Sequence, residues 1–379
     1  MRYVAPRGFY WQNISPAFTH MNHNKYHVAI DIRTPEGGDL LRSMVAKSDV
    51  LIENFRAGSM DRWGVGYRQL STSNPALIYQ ANSGFGQWSK YKDRPSYDAT
   101  SQAMSGFSAI TGFPGRTPLK TGIWIGDCTG ALFAAIGILT ALHHRKKTGK
   151  GQLLDVSQAE GLIRILDWTW LYQSKTQKER ALYGNRDISC SPSGVFRCQD
   201  GFIAIAALDD EQFSGLCQAM SRTELATDRR FNTVSARLVE GNNLALYKTV
   251  ANWAALNNAE EIEKLADTHR FAAHRVVNAR DHYHDEHLRH RGAVCEFEDP
   301  LYGKVVEYGP GPKLSESPGR MRWIAKPVGF HNSHVFRTLL NLKEDQMQEL
   351  AEKQVIGTWV DRIGAKPPDD WNGRDGVIR

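Results

Sequence analysis

GDCTGALFAAIGILTALHHRKKTGKGQ, residues 126–152, decides the reading of this chain. Apolar residues recur at Leu132, Ala135, Ile136, Leu139 and Leu142, the spacing of one helix face. Asp127 stands at the mouth of that helix, and a basic, glycine-punctuated turn closes it. An aspartate in that place can accept hydrogen bonds from the unpaired N–H groups of the first turn. The positive end of the helix dipole also favours its ionised form. On this stretch alone two readings stay open: a structural cap, or a carboxylate nucleophile prepared for covalent catalysis. HHRKK (143–147) reads as a charge cluster favoured by the C-terminal end of the dipole, not as a ligand site.

Working outward, QLLDVSQ reads as the strand that follows, and AEGLIRILDWTWLYQ (159–173) as a further helix. Upstream, YHVAIDI, DVLIENF and ALIYQAN are short β-rich runs, each followed by a turn and a helical stretch. That alternation argues for a parallel sheet covered by helices. From GVFRCQDGFIAIAA (194–207) the character changes to an antiparallel hairpin turning at Gln199, Asp200 and Gly201, which begins a helix-rich region. Residues 242–265 are helical by pattern, and 274–277 read as a strand. Residues 337–355 hold a last amphipathic helix suited to packing back on the first domain.

At 379 residues the chain can hold two domains or one large interrupted one, and its 41% hydrophobic content supports a packed core. FAAIGILTAL falls short of a bilayer span and ends in HHRKK, so no membrane partner is expected. RYVAPRGFYW lacks the continuous apolar region of a secretory signal. The five cysteines form no metal-ligand spacing; the expectation is reduced thiols in the cytoplasm and no metal. The net charge of +6 is spread along the chain, which argues against nucleic acid and suits a small polyanionic ligand.

Seven segments together resemble the class III CoA-transferases, the CaiB/BaiF family. They are NKYHVAIDIRTPEG (24–37), SDVLIENFRAGSMDRWGVGY (48–67), SGFGQW (83–88), RPSYDATSQAMSG (94–106), GDCTG with TGKGQ, GKVVEYGPGPKLSESPGR (303–320) and PVGFHNSHV (327–335), in the family's order. The resemblance implies an α/β fold: a Rossmann-like parallel-sheet large domain built from both chain ends, with a smaller α+β domain between. Residues 1–185 would begin the large domain, 186–311 would form linker and small domain, and 312–379 would complete the large one. It also implies an interlocked homodimer. Family members open with a strand–turn–helix unit that this chain is expected to lack, because NISPAFTHMNHNKYHVAID follows Met1 so closely.

The resemblance also implies a chemistry: CoA passes from an acyl-CoA to a free carboxylic acid through an anhydride and a CoA thioester on Asp127. Coenzyme A would lie beside Asn54, Phe55 and Arg62, with Arg94 as a further phosphate partner and Tyr97 and Asp98 near the pantetheine arm. Arginine meets phosphate oxygens bidentately, and phenylalanine can pack on adenine. Read without the family, Arg62 is a solvated charge, Tyr97 a core residue, and Lys90 or Lys92 could serve as well as Arg94. SGFGQW offers either oxyanion-stabilising N–H groups or a simple strand-end turn. The α-methylacyl-CoA racemases resemble this chain too, but carry a histidine base where Tyr97 stands. A third reading is an inactive CoA-binding subunit. DWTWLYQ (167–173) either lines an acyl pocket or forms a packed helix face or dimer contact, and a small dicarboxylate such as succinate is a common donor acid in the family.

Overall fold

The computed structural model describes residues 8–11 and 14–358. In chain order, α1 (Pro16–Met21) and α2 (Pro35–Val45) precede β1 (Val50–Glu53), α3 (Ser59–Arg62), α4 (Tyr67–Ser73) and β2 (Ile78–Ser83). Next come α5 (Asp98–Met104), the long α6 (Ile125–Thr148), β3 (Gln152–Ser157), α7 (Gln158–Arg164) and α8 (Thr169–Thr176). They are followed by β4 (Ser193–Cys198), β5 (Gly201–Ala206), α9 (Asp210–Ala219), α10 (Val234–Arg237), α11 (Glu240–Ala254), α12 (Ala259–His269) and β6 (Ala272–Arg275). The last are α13 (Ala279–His284), α14 (Glu286–His290), β7 (Val294–Asp299), β8 (Gly303–Tyr308), α15 (Asn332–Leu340) and α16 (Glu344–Glu352). Contacts divide the chain into two units: residues 1–96, 127–161 and 282–379 in the first, 97–126 and 162–281 in the second.

In the first unit β1, β2 and β3 form a parallel sheet in that order, with Val50 opposite Ile78 and Ile78 opposite Gln152. One face buries Tyr79 and Ala81 with Val45, Met60, Val65, Leu70 and Leu77. The other carries α6, which presents its small residues to the sheet: Ala134 and Ala141 are buried, and a Cβ added at Gly137 would stand 2.7 Å from Leu154 Cδ2. The large apolar residues of the periodic stripe, Leu132, Ile136 and Leu139, are exposed instead. The glycine turn after α6 is dictated by sterics. Gly149 sits at φ +73°, and a Cβ at Gly151 would fall 2.0 Å from the Leu77 carbonyl oxygen, where β3 begins beside β2.

Taken whole, α6 is longer than the run FAAIGILTAL suggests. Among the described residues it is the one helix long and apolar enough to cross a membrane by length and composition. Its small-residue face is nevertheless occupied by the sheet, as in the core helix of an α/β layer.

YHVAIDI does not form the expected strand. Its backbone groups are satisfied piecemeal: the N–H of His27 donates to His331 Nδ1, that of Ala29 to Asn332 Oδ1 and that of Asp31 to the Val355 carbonyl, and only Ile30 makes an isolated bridge, to Ile356. The helix expected over 159–173 is two helices, α7 and α8, broken at Asp167 with φ +49°. Residues 242–265 likewise divide into α11 and α12, the latter opened by an Asn258–Glu261 capping box. The last helix divides at Asn341, φ +57°, into α15 and α16, which pack back on α2 through Leu40, Phe336 and Met347 as expected.

The second unit is built on an antiparallel sheet, β4-β5-β6, whose hairpin closes with Cys198 opposite Gly201, as read from the sequence. Phe196, Ile203, Ile205, Phe213, Leu246 and Ile262 fill its core. Each such side chain contributes about 1.5–3 kcal/mol through burial. The unit boundaries differ from 185/186 and 311/312. Residues 97–126 join the second unit, where the Phe113 ring lies against Gly184 and Leu166 against Gly106. The β7–β8 hairpin joins the first, because Asp299 accepts hydrogen bonds from Ile324 N–H (2.9 Å) and from Lys326 Nζ (2.5 and 2.6 Å). Residues 1–7, 12–13 and 359–379 of the expected large domain lie outside the described residues.

Candidate active site at the carboxyl edge of the parallel sheet

Parallel strands deliver the residues that follow them to a single edge, the usual ligand edge of such sheets. Here these are Glu53, Asn54 and Phe55 at the end of β1, the turn from Ser83 to Gln87 after β2, and Gln158 after β3. Because α6 must end where β3 begins, its first turn lies at the same edge. That turn contains Asp127 as the third helical residue, inside the helix and not at its cap. Asp127 is half-buried, and Gln158 Nε2 donates to its Oδ1 at 2.5 Å. Beneath the helix, Asn82 Oδ1 is buried without a hydrogen bond, close to Gly130.

Helix capping falls to Asp98 instead. This side chain, 5% exposed, accepts the Gly126 N–H at 2.7 Å through Oδ1 and Gln102 Nε2 at 2.6 Å through Oδ2. Gln102 in turn accepts the Thr121 N–H. Asp98 thus satisfies an orphan donor of the turn that holds Asp127. Its neighbour Tyr97 is 79% exposed, which departs from the core-residue reading.

Asn54, Phe55, Arg62 and Arg94 are all exposed. Phe55 packs edge to face on Trp63 at 5.1 Å, Arg62 donates to Ser59 Oγ at 2.9 Å, and the Arg94 guanidinium lies 4.0 Å over the Tyr91 ring. Arg56, which the sequence reading passed over, donates to the Asp93 carbonyl and ties the loop after β1 to the loop carrying Arg94. Glu53 was also missed. Its Oε2 accepts the Phe55 N–H at 2.7 Å, and burial, with Asp61 and Asp155 adding to it, pushes its carboxyl up to about 7. A glutamate closing an apolar strand just before Asn-Phe was the available signal. Asp155, likewise raised by burial, accepts the Gln87 N–H at 2.8 Å. The N–H of Gly86 is bound to Ser83 Oγ. The amides of Gly86 and Gln87 are therefore committed, so SGFGQW is the strand-end turn at these two positions.

In the second unit Trp168 and Tyr172 meet edge to face at 5.3 Å, with Arg180 stacked 4.4 Å over Trp168. They line a cavity of about 250 Å³ together with Tyr183, Leu238 and Asn243. Part of the aromatic tract thus borders a cavity, while Trp170 points outward.

The sequence profile described as CoA-transferase family III matches residues 1–332. The chain belongs to CoA-transferase family III. This CoA-transferase is 37% identical over 335 residues to the succinyl-CoA–D-citramalate CoA-transferase of Chloroflexus aurantiacus, covering 88% of this chain and 83% of that protein. It is 32% identical to the succinyl-CoA:mesaconate CoA-transferase of Haloarcula hispanica, over 91% of this chain and 84% of that one. Its fold is similar to that of a CaiB/BaiF family protein from Brucella suis, with TM-score 0.78, 29% identity and coverage of 89% and 88% of the two chains.

Proposed function

We propose that this family III CoA-transferase carries CoA from an acyl-CoA thioester to a free carboxylate by way of Asp127. The observation that carries the reading is the placement of Asp127 in the first turn of α6 at the carboxyl edge of the sheet, oriented by the Gln158 amide at 2.5 Å. Asp127 attacks the acyl carbonyl carbon of the donor; the C–S bond breaks and its electron pair leaves with the thiolate, giving an acyl–aspartyl anhydride. The thiolate then attacks the aspartyl carbonyl carbon, the C–O bond to the donor acyl group breaks, and the donor acid departs as a carboxylate. Aspartyl-CoA thioester remains, and the acceptor carboxylate runs the two steps in reverse.

The exposed residues around this edge fit a CoA substrate. Phe55 offers an open ring to adenine, Arg62 and Arg94 offer guanidinium groups to phosphate, and Asn54 offers a polar contact; for Tyr97 the resemblance to the family suggests the pantetheine arm, and its ring is exposed. Asp98 serves by holding the start of α6. The two curated relatives carry succinyl-CoA and a short dicarboxylic acid in their names, which supports succinyl-CoA as donor and a short dicarboxylate as acceptor. The exposed stripe of Leu132, Ile136 and Leu139 supports a homodimer that covers it, and five cysteines none of which is in a disulfide support a reducing, cytoplasmic location.

Intact-mass analysis after incubation with succinyl-CoA tests the reading. Wild type is expected to gain a CoA-sized, hydroxylamine-sensitive adduct that Asp127→Ala lacks. An adduct that persists in Asp127→Ala would remove Asp127 from the mechanism.

A further inference from the structure

The segment around α1 carries chemistry that the transferase reading does not use. His20 lies in the last turn of α1 and His23 two residues beyond it, and their rings meet edge to face at 5.6 Å. Glu307, on β8, faces both. His20 Nδ1 is 3.2 Å from Glu307 Oε2, and His23 Nε2 is 3.9 Å from the same oxygen. All three donor atoms fall within 4.8 Å of one another. The side chains of His23 and Glu307 are only 19% and 16% exposed, and His23 Nε2 is buried without a hydrogen bond.

A hydrogen-bonded pair accounts for His20 and Glu307 but leaves His23 Nε2 without a hydrogen bond. The buried His23 Nε2 faces the Glu307 carboxylate that His20 also meets, so the three side chains converge on one point. We propose that His20, His23 and Glu307 form a three-ligand site for a divalent first-row transition ion of the zinc class. Bonds of about 2.0–2.1 Å in a tetrahedral site place ligand atoms about 3.3 Å apart. The 3.2 Å separation already meets that value, and small side-chain rotations close the wider ones. Two imidazole nitrogens and one carboxylate oxygen suit zinc better than magnesium or calcium, which take oxygen ligands. Lys25 does not compete for the site, because its Nζ is held by the Met21 carbonyl (3.2 Å) and Asn22 Oδ1 (3.0 Å). The Tyr308 ring packs on His20 at 5.3 Å and fixes its orientation, while the exposed side of His20 leaves room for water as a further ligand. A bound ion would clasp α1 to the β7–β8 hairpin.

The test is calorimetric titration of the chelator-treated full chain with zinc chloride, in parallel with cobalt absorption. The half-buried His282 and the exposed His284, His287 and His290 form a histidine-rich segment that could capture metal on its own, so His287→Ala is the control. Wild type and His287→Ala are expected to bind one zinc alike, with tetrahedral cobalt bands. His23→Ala and the near-isosteric Glu307→Gln are expected to bind at least about tenfold more weakly. Zinc should also raise the Tm of wild type and leave that of Glu307→Gln unchanged, a readout that stands even if His23→Ala fails to fold. Absence of zinc binding to wild type overturns the proposal. So does affinity that survives Glu307→Gln or is lost in His287→Ala.

Discussion

Glu53 makes the stability of the first unit depend on pH in a direction opposite to that of a paired surface carboxylate. Burial raises its pKa from 4.5 to about 7. Below pH 4.5 the side chain is protonated in both folded and unfolded chains and no penalty applies. Between 4.5 and 7 the unfolded chain ionises first, so stability is lost as pH rises through this window. A shift of this size corresponds to about 3 kcal/mol, fully expressed above pH 7. Glu53→Gln keeps the shape and an acceptor for the Phe55 N–H. The variant should match wild type within about 1 kcal/mol at pH 5. At pH 8 it should be the more stable by about 3 kcal/mol, roughly 6–12 °C in Tm for a unit of this size. The assay is thermal unfolding of both proteins across that pH range, followed by tryptophan fluorescence. A difference between the two that stays constant from pH 5 to pH 8 would refute the reasoning, because it would mean that Glu53 does not titrate in the window that burial sets.

Gln158→Leu should lower kcat on the order of a hundredfold with KM for the acyl-CoA nearly unchanged, since it releases the Asp127 carboxylate from its orientation; steady-state kinetics read the split. Gly151→Ala should destabilise by about 3 kcal/mol, because the new methyl would meet the Leu77 carbonyl, backbone that no rotamer can move; a thermal melt shows it. Lys326→Met leaves the fully buried Asp299 with only the N–H groups of Leu301, Tyr302 and Ile324, and should cost about 3–5 kcal/mol, partly recovered in Lys326→Met/Asp299→Asn. Denaturant titration of the single and double variants checks that recovery.

Much of the fold was legible because β1, β2, β3 and the β4–β5 hairpin announce themselves locally, through β-rich runs bounded by turn residues. The failures share a cause. YHVAIDI has a strand's composition, but its N–H groups meet His331, Asn332 and Val355, roughly three hundred positions away, which no local pattern reports. The breaks at Asp167 and Asn341 each rest on one residue turning left-handed, a conformation that Asp and Asn tolerate without disturbing the hydrophobic period around them. In the site, Asp127 could be found because its motif is contiguous. Gln158 meets it across 31 positions, and Arg56 reaches Asp93 across 37, so only the parallel arrangement of the strands brings those pairs together.

The long helix α6 shows why a correct period can point to the wrong face. Its large apolar residues recur at helical spacing, and that spacing is real, yet Leu132, Ile136 and Leu139 stand exposed while Gly130, Ala134, Gly137 and Ala141 meet the sheet. A helix that must bring its first turn to the strand ends at close range needs small residues underneath, since a Leu at position 137 would collide with Leu154. The helix therefore has two apolar faces with separate tasks. The small-residue face fixes the depth at which Asp127 is presented, and the large-residue face stands exposed. A second copy of the chain is the covering that the homodimer reading supplies. Leu132→Lys with Ile136→Lys should then yield monomers in light scattering without moving the helix on its sheet. If the assembly state stays unchanged, that face has no part in it.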